Sequence, residues 1–221
     1  MTGTIREQIG QPRLGERVGA ALYDLLNARL DQRLFGDRRR RLLAVARGRV
    51  LDVGAGTGAN LPHYRKDQVT GLVLLDVGRG MLARAGARAD GLGVPVELRL
   101  ASAERLPFAD ASFDTVVFTL SLCSIPDPIR ALREAGRALK PGGKLLVLEH
   151  VRAQDPGLAR WQDRLTPLQK ALGSGCHPNR DTRRSIEAAG FVLESVEEWL
   201  ETRVPVPWTR PWLQAVASRE G

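Results

Sequence analysis

The sequence predicts an α/β fold built on a seven-stranded, mostly parallel sheet with helices on both faces. Short apolar segments alternate with helical segments through the middle of the chain, which is typical of a doubly wound sheet. Two more strands follow this alternating series, and they allow a hairpin at the sheet edge rather than another crossover. A length of 221 residues, 43% of them hydrophobic, is suited to one such domain.

The elements are placed by their periodicity. Leucines recurring every three or four positions predict that residues 14–47 are mostly helical, within an amino-terminal segment 1–47 that precedes the main domain 48–221. The predicted strands are 49–53, 72–75, 96–100, 113–120, 144–149, 191–198 and 213–217. The predicted helices are a turn-and-helix segment reaching Tyr64, then 81–89, 129–139 and 182–189, whereas 152–180 is predicted to be rich in loops.

The formal charge of +8 comes almost entirely from arginine. An exposed basic patch at Arg38–Arg41 would suit a nucleic-acid-binding module, which is one alternative function. The other arginines are scattered, however, and aromatic residues make up only 5% of the chain. We therefore expect a solvated arginine-rich surface and no nucleic-acid partner.

The two cysteines, Cys123 and Cys176, have neither the spacing of metal ligands nor that of a disulfide framework. The sequence therefore predicts no metal site and two small buried residues. The first residues lack the apolar core of a signal peptide, and no apolar run approaches the ~20 residues that span a bilayer. We expect a cytoplasmic protein without a stable membrane anchor.

The segment VLDVGAGTGAN, residues 50–60, indicates a cofactor site. Glycines let the chain turn sharply out of a strand and approach a ligand closely. Asp76 follows about 20 residues later, where acidic groups in such folds accept ribose hydroxyls. Gly54, Gly56 and Ala59 also satisfy the dinucleotide pattern G-x-G-x-x-A, so an NAD(P) oxidoreductase is an alternative. The third glycine, Gly58, and Asp52, which can pair with an amino group that NAD lacks, favour a different cofactor.

Three segments carry a family resemblance. LDVGAGTG (51–58) resembles motif I of the class I S-adenosylmethionine-dependent methyltransferases. SAERLPFADASFD (102–114) and LKPGG (139–143) resemble the adenine-side loop and the turn before strand five in the ubiquinone and menaquinone branch. The resemblance implies a Rossmann-like fold, S-adenosylmethionine as cofactor with S-adenosylhomocysteine as product, and a small-molecule acceptor.

The resemblance also implies roles for individual residues. The glycines wrap the methionine and ribose portions of the cofactor, Asp52 lies beneath them near the methionine amine, and Asp76 holds the ribose. Ser102 stands where the branch usually has an aspartate that accepts a hydrogen bond from the adenine. The predicted cofactor-binding residues are Asp52, Gly54, Ala55, Gly56, Gly58, Asn60, Asp76, Val77, Ser102, Ala103, Glu104, Thr119 and Leu120.

Two further segments resemble the thiol S-methyltransferases of animals and their bacterial relatives. These are TLSLCSI (119–125) with LEHV (148–151), and GCH (175–177) with the residues that follow it. The resemblance implies methylation of a thiol. O- or C-methylation of a phenolic or quinone-like metabolite, and N-methylation of a phospholipid head group, are the alternatives, because one fold hosts all these chemistries.

Three residues are candidates for catalysis. His150 ends strand five, where ligands gather in open sheets, and is the leading candidate for a general base or acceptor-orienting group. His177 lies in a loop over the expected pocket. Tyr23 corresponds to a tyrosine in the helices that cover the active site in the quinone branch, which implies an amino-terminal lid. Trp161, Leu165 and Leu168 are expected to line the acceptor pocket, and the sequence leaves the oligomeric state open.

Overall fold

The computed structural model describes residues 9–173 and 175–219. Residues 1–8 of the predicted amino-terminal segment, and residues 220–221, lie outside this part of the chain. The helices are α1 (Leu14–Leu43), α2 (Arg79–Ala89), α3 (Pro128–Ala138), α4 (Pro156–Leu172) and α5 (Thr182–Ala188). The strands are β1 (Gly48–Val53), β2 (Val69–Asp76), β3 (Val96–Leu100), β4 (Phe113–Thr119), β5 (Leu139–His150), β6 (Phe191–Leu200) and β7 (Pro211–Arg219).

The strands form one seven-stranded sheet in the order β3-β2-β1-β4-β5-β7-β6. The first five strands run parallel, whereas β7 is antiparallel to both β5 and β6. The predicted Rossmann-like fold and its antiparallel edge are therefore confirmed. The strand order reverses between β1 and β4, and the carboxyl ends of these strands form the crevice where open α/β sheets bind ligands.

The parallel strands are buried on both faces. In β1, Val50 packs into the core on one face of the sheet, and Leu51 and Val53 pack into the core on the other face. Neighbouring strand residues alternate between faces, so a nearly continuous apolar run is needed to fill both cores. Each fully buried Val or Leu side chain contributes about 1.5–3 kcal/mol to stability. This packing holds the strand ends, and the loops that leave them, in fixed positions.

Helix α1 is one continuous helix that passes through Gly36. Its second half buries Leu34, Phe35, Leu42 and Leu43 against the sheet. Apolar residues of its first half are exposed: Leu14, Val18, Leu22, Leu25 and Leu26. None of the helices within 9–173 and 175–219 is both long and apolar enough to cross a membrane.

Two predictions of local structure are wrong. The chain after the glycine loop forms turns and a short 3₁₀ helix, Leu61–His63, rather than an α-helix reaching Tyr64. The segment predicted to be loops contains the 17-residue helix α4, which begins after Asp155, whose carboxylate accepts a 2.7 Å hydrogen bond from the Leu158 N–H. The buried face of α4 includes Gln162 and Thr166, and these polar residues hide its helical periodicity in the sequence.

Candidate active site

The loop leaving β1 depends on glycine at three positions. Gly54, Gly56 and Gly58 have φ angles of 71°, 55° and 85°, which side-chain-bearing residues rarely adopt. A Cβ atom at Gly54 would clash with the side chain of Ser121, whereas one at Gly56 would meet nothing within 4 Å. The loop therefore follows a path that brings bare backbone to the carboxyl edge of the sheet, as predicted for a cofactor cradle. Ala55, the buried residue between two of these glycines, anchors the loop to the core.

Asp52 lies beneath this loop and is almost completely buried, with 1% of its surface exposed. Its carboxylate accepts hydrogen bonds from the Asn60 amide, at 3.0 and 2.9 Å, and from the Tyr64 hydroxyl at 2.9 Å. Burial raises its pKa to about 6, despite these two donors. The position beneath the loop agrees with the sequence prediction. Contact with a methionine amine stays a prediction, since the carboxylate already holds Asn60 and Tyr64.

Arg39 joins this network from helix α1 and was not identified as a site residue from the sequence. Its guanidinium donates to Asn60 Oδ1 at 2.5 Å, to Thr119 Oγ1 at 2.8 Å and to Asp31 at 2.9 Å. Only 3% of Arg39 is exposed, and the guanidinium of Arg38 stacks 3.9 Å from the ring centre of Trp199. Arg38–Arg41 therefore does not form the continuous exposed basic patch that a nucleic-acid-binding module would require.

Asp76 ends β2 and faces the glycine loop. Its two carboxylate oxygens accept hydrogen bonds from the Gly56 N–H at 2.9 Å and the Gly78 N–H at 2.7 Å. Burial raises its pKa, and the backbone donors only partly offset this effect. The next residue, Val77, is 75% exposed beside this carboxylate. A partly covered acid next to an open apolar surface suits a ribose followed by a base, and the predicted roles of Asp76 in holding the ribose and of Val77 in binding the cofactor stay predictions.

The adenine-side residues form a compact turn after β3. Ala103 is buried, and the Ser102 hydroxyl accepts a 3.2 Å hydrogen bond from the Glu104 N–H. The Glu104 carboxylate accepts a 2.7 Å hydrogen bond from the N–H of Asp127, which caps helix α3. Ser102 therefore stabilises its own turn, and its predicted contact with adenine stays a prediction.

The turn that leaves β4 is held by a buried acid that sequence reasoning missed. Leu120 has a φ angle of 54°, a left-handed conformation that is unusual for leucine. The N–H groups of Ser121 and Leu122, which follow it, both donate to the buried carboxylate of Glu149 on β5. Strained backbone of this kind persists where surrounding contacts enforce it, often at functional sites. The sequence signal for this contact was Glu149 itself, an acidic residue near the end of an apolar strand and directly before His150.

His150 lies in a buried cluster with both cysteines. Its Nε2 atom is 3.0 Å from Cys176 Sγ, and its ring packs edge-on against Trp212 at 5.6 Å. Burial lowers the pKa of His150, but the nearby Cys123 and Glu149 outweigh this effect and raise it. Since its ring is covered and one nitrogen is engaged, its role as a general base stays a prediction.

The cysteines, far apart in sequence, meet in the fold. A hydrogen bond between the two side chains raises the pKa of Cys123 and lowers that of Cys176. Metal-binding atoms of Cys123, His150 and Cys176 all lie within 4.8 Å of one another. Sequence spacing alone gave no indication of this arrangement, because it depends on long-range contacts.

The other two catalytic candidates occupy different surroundings. Burial and the positive charge of Arg180 lower the pKa of His177, whose Nδ1 atom is 3.2 Å from the Cys123 carbonyl oxygen. Burial, followed by the charge of Asp31, raises the pKa of Tyr23. His177 is therefore a neutral, weak base near pH 7, and Tyr23 keeps its proton. Their catalytic roles, and the lid role of helix α1, stay predictions.

Tyr23 faces an open cavity of about 220 Å³ between helix α1 and the glycine loop. The cavity is lined by Tyr23, Asp24, Asp31, Gln32, Arg39, Thr57, Gly58, Ala59, Pro62 and Arg88. Trp161 and Leu168, which were expected to line the acceptor pocket, are more than half exposed on helix α4 instead. The structure therefore does not enclose an acceptor pocket with these two residues.

Comparisons with known proteins find similarity to methyltransferases. Residues 51–147 match a family model described as a methyltransferase domain. A phosphatidylethanolamine N-methyltransferase of Cereibacter sphaeroides is 40% identical over 130 residues, which is 57% of this chain and 62% of the relative. The thiol S-methyltransferase TMT1B of Rattus norvegicus is 37% identical over 152 residues, covering 68% of this chain and 62% of the relative. A ubiquinone/menaquinone biosynthesis C-methyltransferase of Rickettsia massiliae is 35% identical over 143 residues, covering 60% and 58%. The chain thus spans about three fifths of these relatives' length.

Solved structures share the fold. An S-adenosylmethionine-dependent methyltransferase from Mesorhizobium loti superposes with a TM-score of 0.62 at 24% identity, covering 86% of this chain and all of that one. The [4+2]-cyclase SpnF gives a TM-score of 0.66 at 23% identity, covering 88% and 81%. Since one of these structures is that of a cyclase, the shared architecture alone does not specify the reaction.

Proposed function

We propose that the chain is a class I S-adenosylmethionine-dependent methyltransferase that methylates the sulfur of a small-molecule thiol, an assignment supported by the family match, the relatives and the fold. S-Adenosylmethionine, the cofactor that this family and fold imply, supplies an electrophilic methyl group on a positively charged sulfur. The acceptor thiolate forms the new carbon–sulfur bond as the old one breaks, the thiol proton passes to solvent, and S-adenosylhomocysteine is the product. The protein has to bind the thiol and the cofactor, orient them for transfer, and exclude water from the site.

The residues present fit this cofactor. Glycine at Gly54 and Gly58 lets the loop pack closely against Ser121 and Ala85, and bare backbone at Gly56 faces open space where a ligand can lie against the loop. Asp76 can accept ribose hydroxyls at the end of β2, and the exposed Val77 offers an apolar contact to the base. Arg39 and Asn60 position Thr119 at the end of β4, where the sulfonium is expected.

The observation that carries the thiol assignment is that no candidate base is both strong and accessible, since His150, whose pKa is raised, is buried. His177 has a lowered pKa, Tyr23 has a raised pKa, and His150 is covered and hydrogen-bonded to Cys176. A thiol with a pKa of about 8.5 is partly ionised near neutrality and needs little help, whereas a phenol with a pKa of about 10 requires a positioned base. The similarity to a thiol S-methyltransferase, over 68% of the chain, supports the same acceptor.

N-Methylation of a phospholipid head group is the second candidate. Two observations favour it: the 40% identity to a phosphatidylethanolamine N-methyltransferase, and the exposed apolar residues on the first half of α1, among them Leu14, Val18 and Leu22. Apolar residues on one side of a helix can contact a lipid surface. This function predicts activity that depends on vesicles, whereas thiol methylation does not.

The test is release of S-adenosylhomocysteine with a panel of aliphatic thiols, aryl thiols, catechols, quinols and phosphatidylethanolamine vesicles. We expect turnover with thiols that needs no vesicles. Turnover with vesicles or phenols and none with thiols would overturn the thiol assignment while leaving the cofactor assignment intact. Binding of S-adenosylhomocysteine by calorimetry, measured separately, distinguishes a wrong acceptor from a protein that does not bind the cofactor.

A further inference from the structure

Three metal-binding side chains meet at the carboxyl edge of the sheet. Cys123 lies in the turn after β4, His150 is the last residue of β5, and Cys176 lies in the segment that follows α4. One ligand atom from each lies within 4.8 Å of the other two. We propose that these three residues bind a single soft divalent cation, Zn²⁺.

The donor set suits this cation. Two thiolates and one imidazole are the three protein ligands found in some zinc sites, and sulfur with nitrogen donors selects zinc over Mg²⁺ or Ca²⁺. All three side chains are buried, with 4%, 7% and 8% exposed for Cys123, His150 and Cys176. Binding therefore costs little further desolvation of the ligands.

The distances are compatible with coordination after a small adjustment. Tetrahedral zinc places sulfur and nitrogen ligands about 3.6–3.8 Å apart, from Zn–S and Zn–N lengths of about 2.3 and 2.0–2.1 Å. The observed separation of His150 Nε2 and Cys176 Sγ is 3.0 Å, and the largest in the cluster is at most 4.8 Å. Shifts on the order of 1 Å are enough to form the site. Three protein ligands leave a fourth position for water or another exogenous ligand.

The surroundings balance the charge of a bound cation. Binding releases the two thiol protons to solvent, so Zn²⁺ with two thiolates and a neutral imidazole carries no net charge. Beside it lie one acid, Glu149, and one guanidinium, Arg180, which donates to the Leu122 carbonyl oxygen. Glu149 Oε2 and His150 Nδ1 are buried and have no hydrogen-bond partner among the described residues.

The site links three segments that are distant in sequence. The His177 N–H already donates a 2.9 Å hydrogen bond to the Cys123 carbonyl oxygen, so the segment after α4 lies against the turn after β4. A cation held by Cys123, His150 and Cys176 adds a stronger connection at the same place. His150 then serves as a ligand, and its lone pair is no longer available to accept a proton from an acceptor.

The experiment measures metal binding by the full-length chain and does not rely on methyl transfer. Protein is reduced, stripped of metal with a chelator and titrated with Co²⁺, which reports thiolate ligands by charge-transfer absorption in the near ultraviolet. We expect saturation at one cobalt per chain, with the cobalt displaced by an equal amount of zinc. Cys123→Ser and Cys176→Ser should each halve the charge-transfer intensity, and His150→Asn should weaken binding at least about tenfold.

His63→Asn is the matched control. His63 is also a buried histidine, but it lies in the 3₁₀ helix after the glycine loop, outside the cluster. We expect this variant to bind cobalt and zinc like the original protein, and circular dichroism checks that each variant is folded. If the reduced, unsubstituted protein shows no thiolate charge transfer and retains no zinc, the proposal is wrong. A charge-transfer band that survives both cysteine substitutions also overturns it.

Discussion

Asp52 provides a quantitative test of the buried network beneath the glycine loop. Burial raises the pKa of this carboxyl from 3.8 to about 6 in the folded protein. The folded state therefore binds the proton more tightly than the unfolded state, so ionisation of Asp52 destabilises the fold as pH rises. A difference of about two pKa units between the folded and unfolded states lowers the free energy of unfolding by about 3 kcal/mol once Asp52 is ionised in both states, above pH 6. Between pH 4.5 and pH 7 the expected loss is about 2 kcal/mol.

Replacing Asp52 by Asn removes the titrating group and keeps its size. The variant has its own constant stability offset, because an amide cannot accept hydrogen bonds from Asn60 and Tyr64 in the same way. The informative quantity is the difference in unfolding free energy between the two proteins as a function of pH, from urea titrations followed by circular dichroism. The unsubstituted protein should lose about 2 kcal/mol relative to the variant from pH 4.5 to pH 7.

A matched control is Asp67→Asn. Asp67 is exposed and hydrogen-bonded to Arg65, which lowers the pKa of its carboxyl. The unsubstituted protein should therefore gain stability relative to Asp67→Asn as pH rises, which is opposite to the change at Asp52. The gain should be small because solvent screens the pair. The inferred burial of a titrating carboxyl beneath the loop would be refuted if the difference in unfolding free energy between the unsubstituted protein and Asp52→Asn did not change with pH. It would also be refuted if the unsubstituted protein gained stability relative to the variant as pH rises.

Three further predictions test the site. Gly54→Ala should abolish binding of S-adenosylhomocysteine in calorimetry, because the new Cβ meets Ser121, whereas Gly91→Ala, with a similar φ of 76° and open space, should bind normally. Glu149→Ala should lower the free energy of unfolding by about 2–4 kcal/mol in urea titration, since it leaves two buried N–H groups unpaired. Glu149→Gln keeps an oxygen acceptor and should lose much less stability. Equal losses in the two variants would contradict this. Under the proposed function, kcat/KM should rise with pH in step with ionisation of the acceptor thiol, and a profile that does not move between thiols of different pKa would contradict the absence of a strong base.

The fold was predictable where the sequence pattern is local. Apolar runs such as 72–75 indicate a strand buried on both faces, and the structure contains it as β2, Val69–Asp76. Helix α4 was missed because Gln162, a polar residue, is fully buried and uses its side chain to bond the backbone at Val151, Pro178 and Trp208. Periodicity analysis counts such a residue as exposed, so polar residues that bridge loops interrupt the helical signal.

The candidate site likewise has one part formed by local sequence segments and another part formed by long-range contacts. Its proposed cofactor side consists of segments that each have a local sequence pattern: the glycine loop, Asp76 at the end of the next strand, and the turn at 102–104. Its other side is assembled by contacts across the chain, such as Arg39 to Thr119, Glu149 to the turn after β4, and the cluster that includes Cys176. Residue spacing along the sequence does not reveal these long-range partners.

The relatives differ in the acceptor that their names give. Proteins named as a phosphatidylethanolamine N-methyltransferase, a thiol S-methyltransferase and a ubiquinone/menaquinone C-methyltransferase are 35–40% identical to this chain over 57–68% of its length. Similarity to these proteins therefore does not identify the acceptor of this chain. We propose that acceptor choice depends on the second side, where a covered histidine lies beside two cysteines and a buried acid holds a strained turn. Substitutions at Cys123, His150 and Cys176 should accordingly change acceptor preference or metal content while leaving binding of S-adenosylhomocysteine intact.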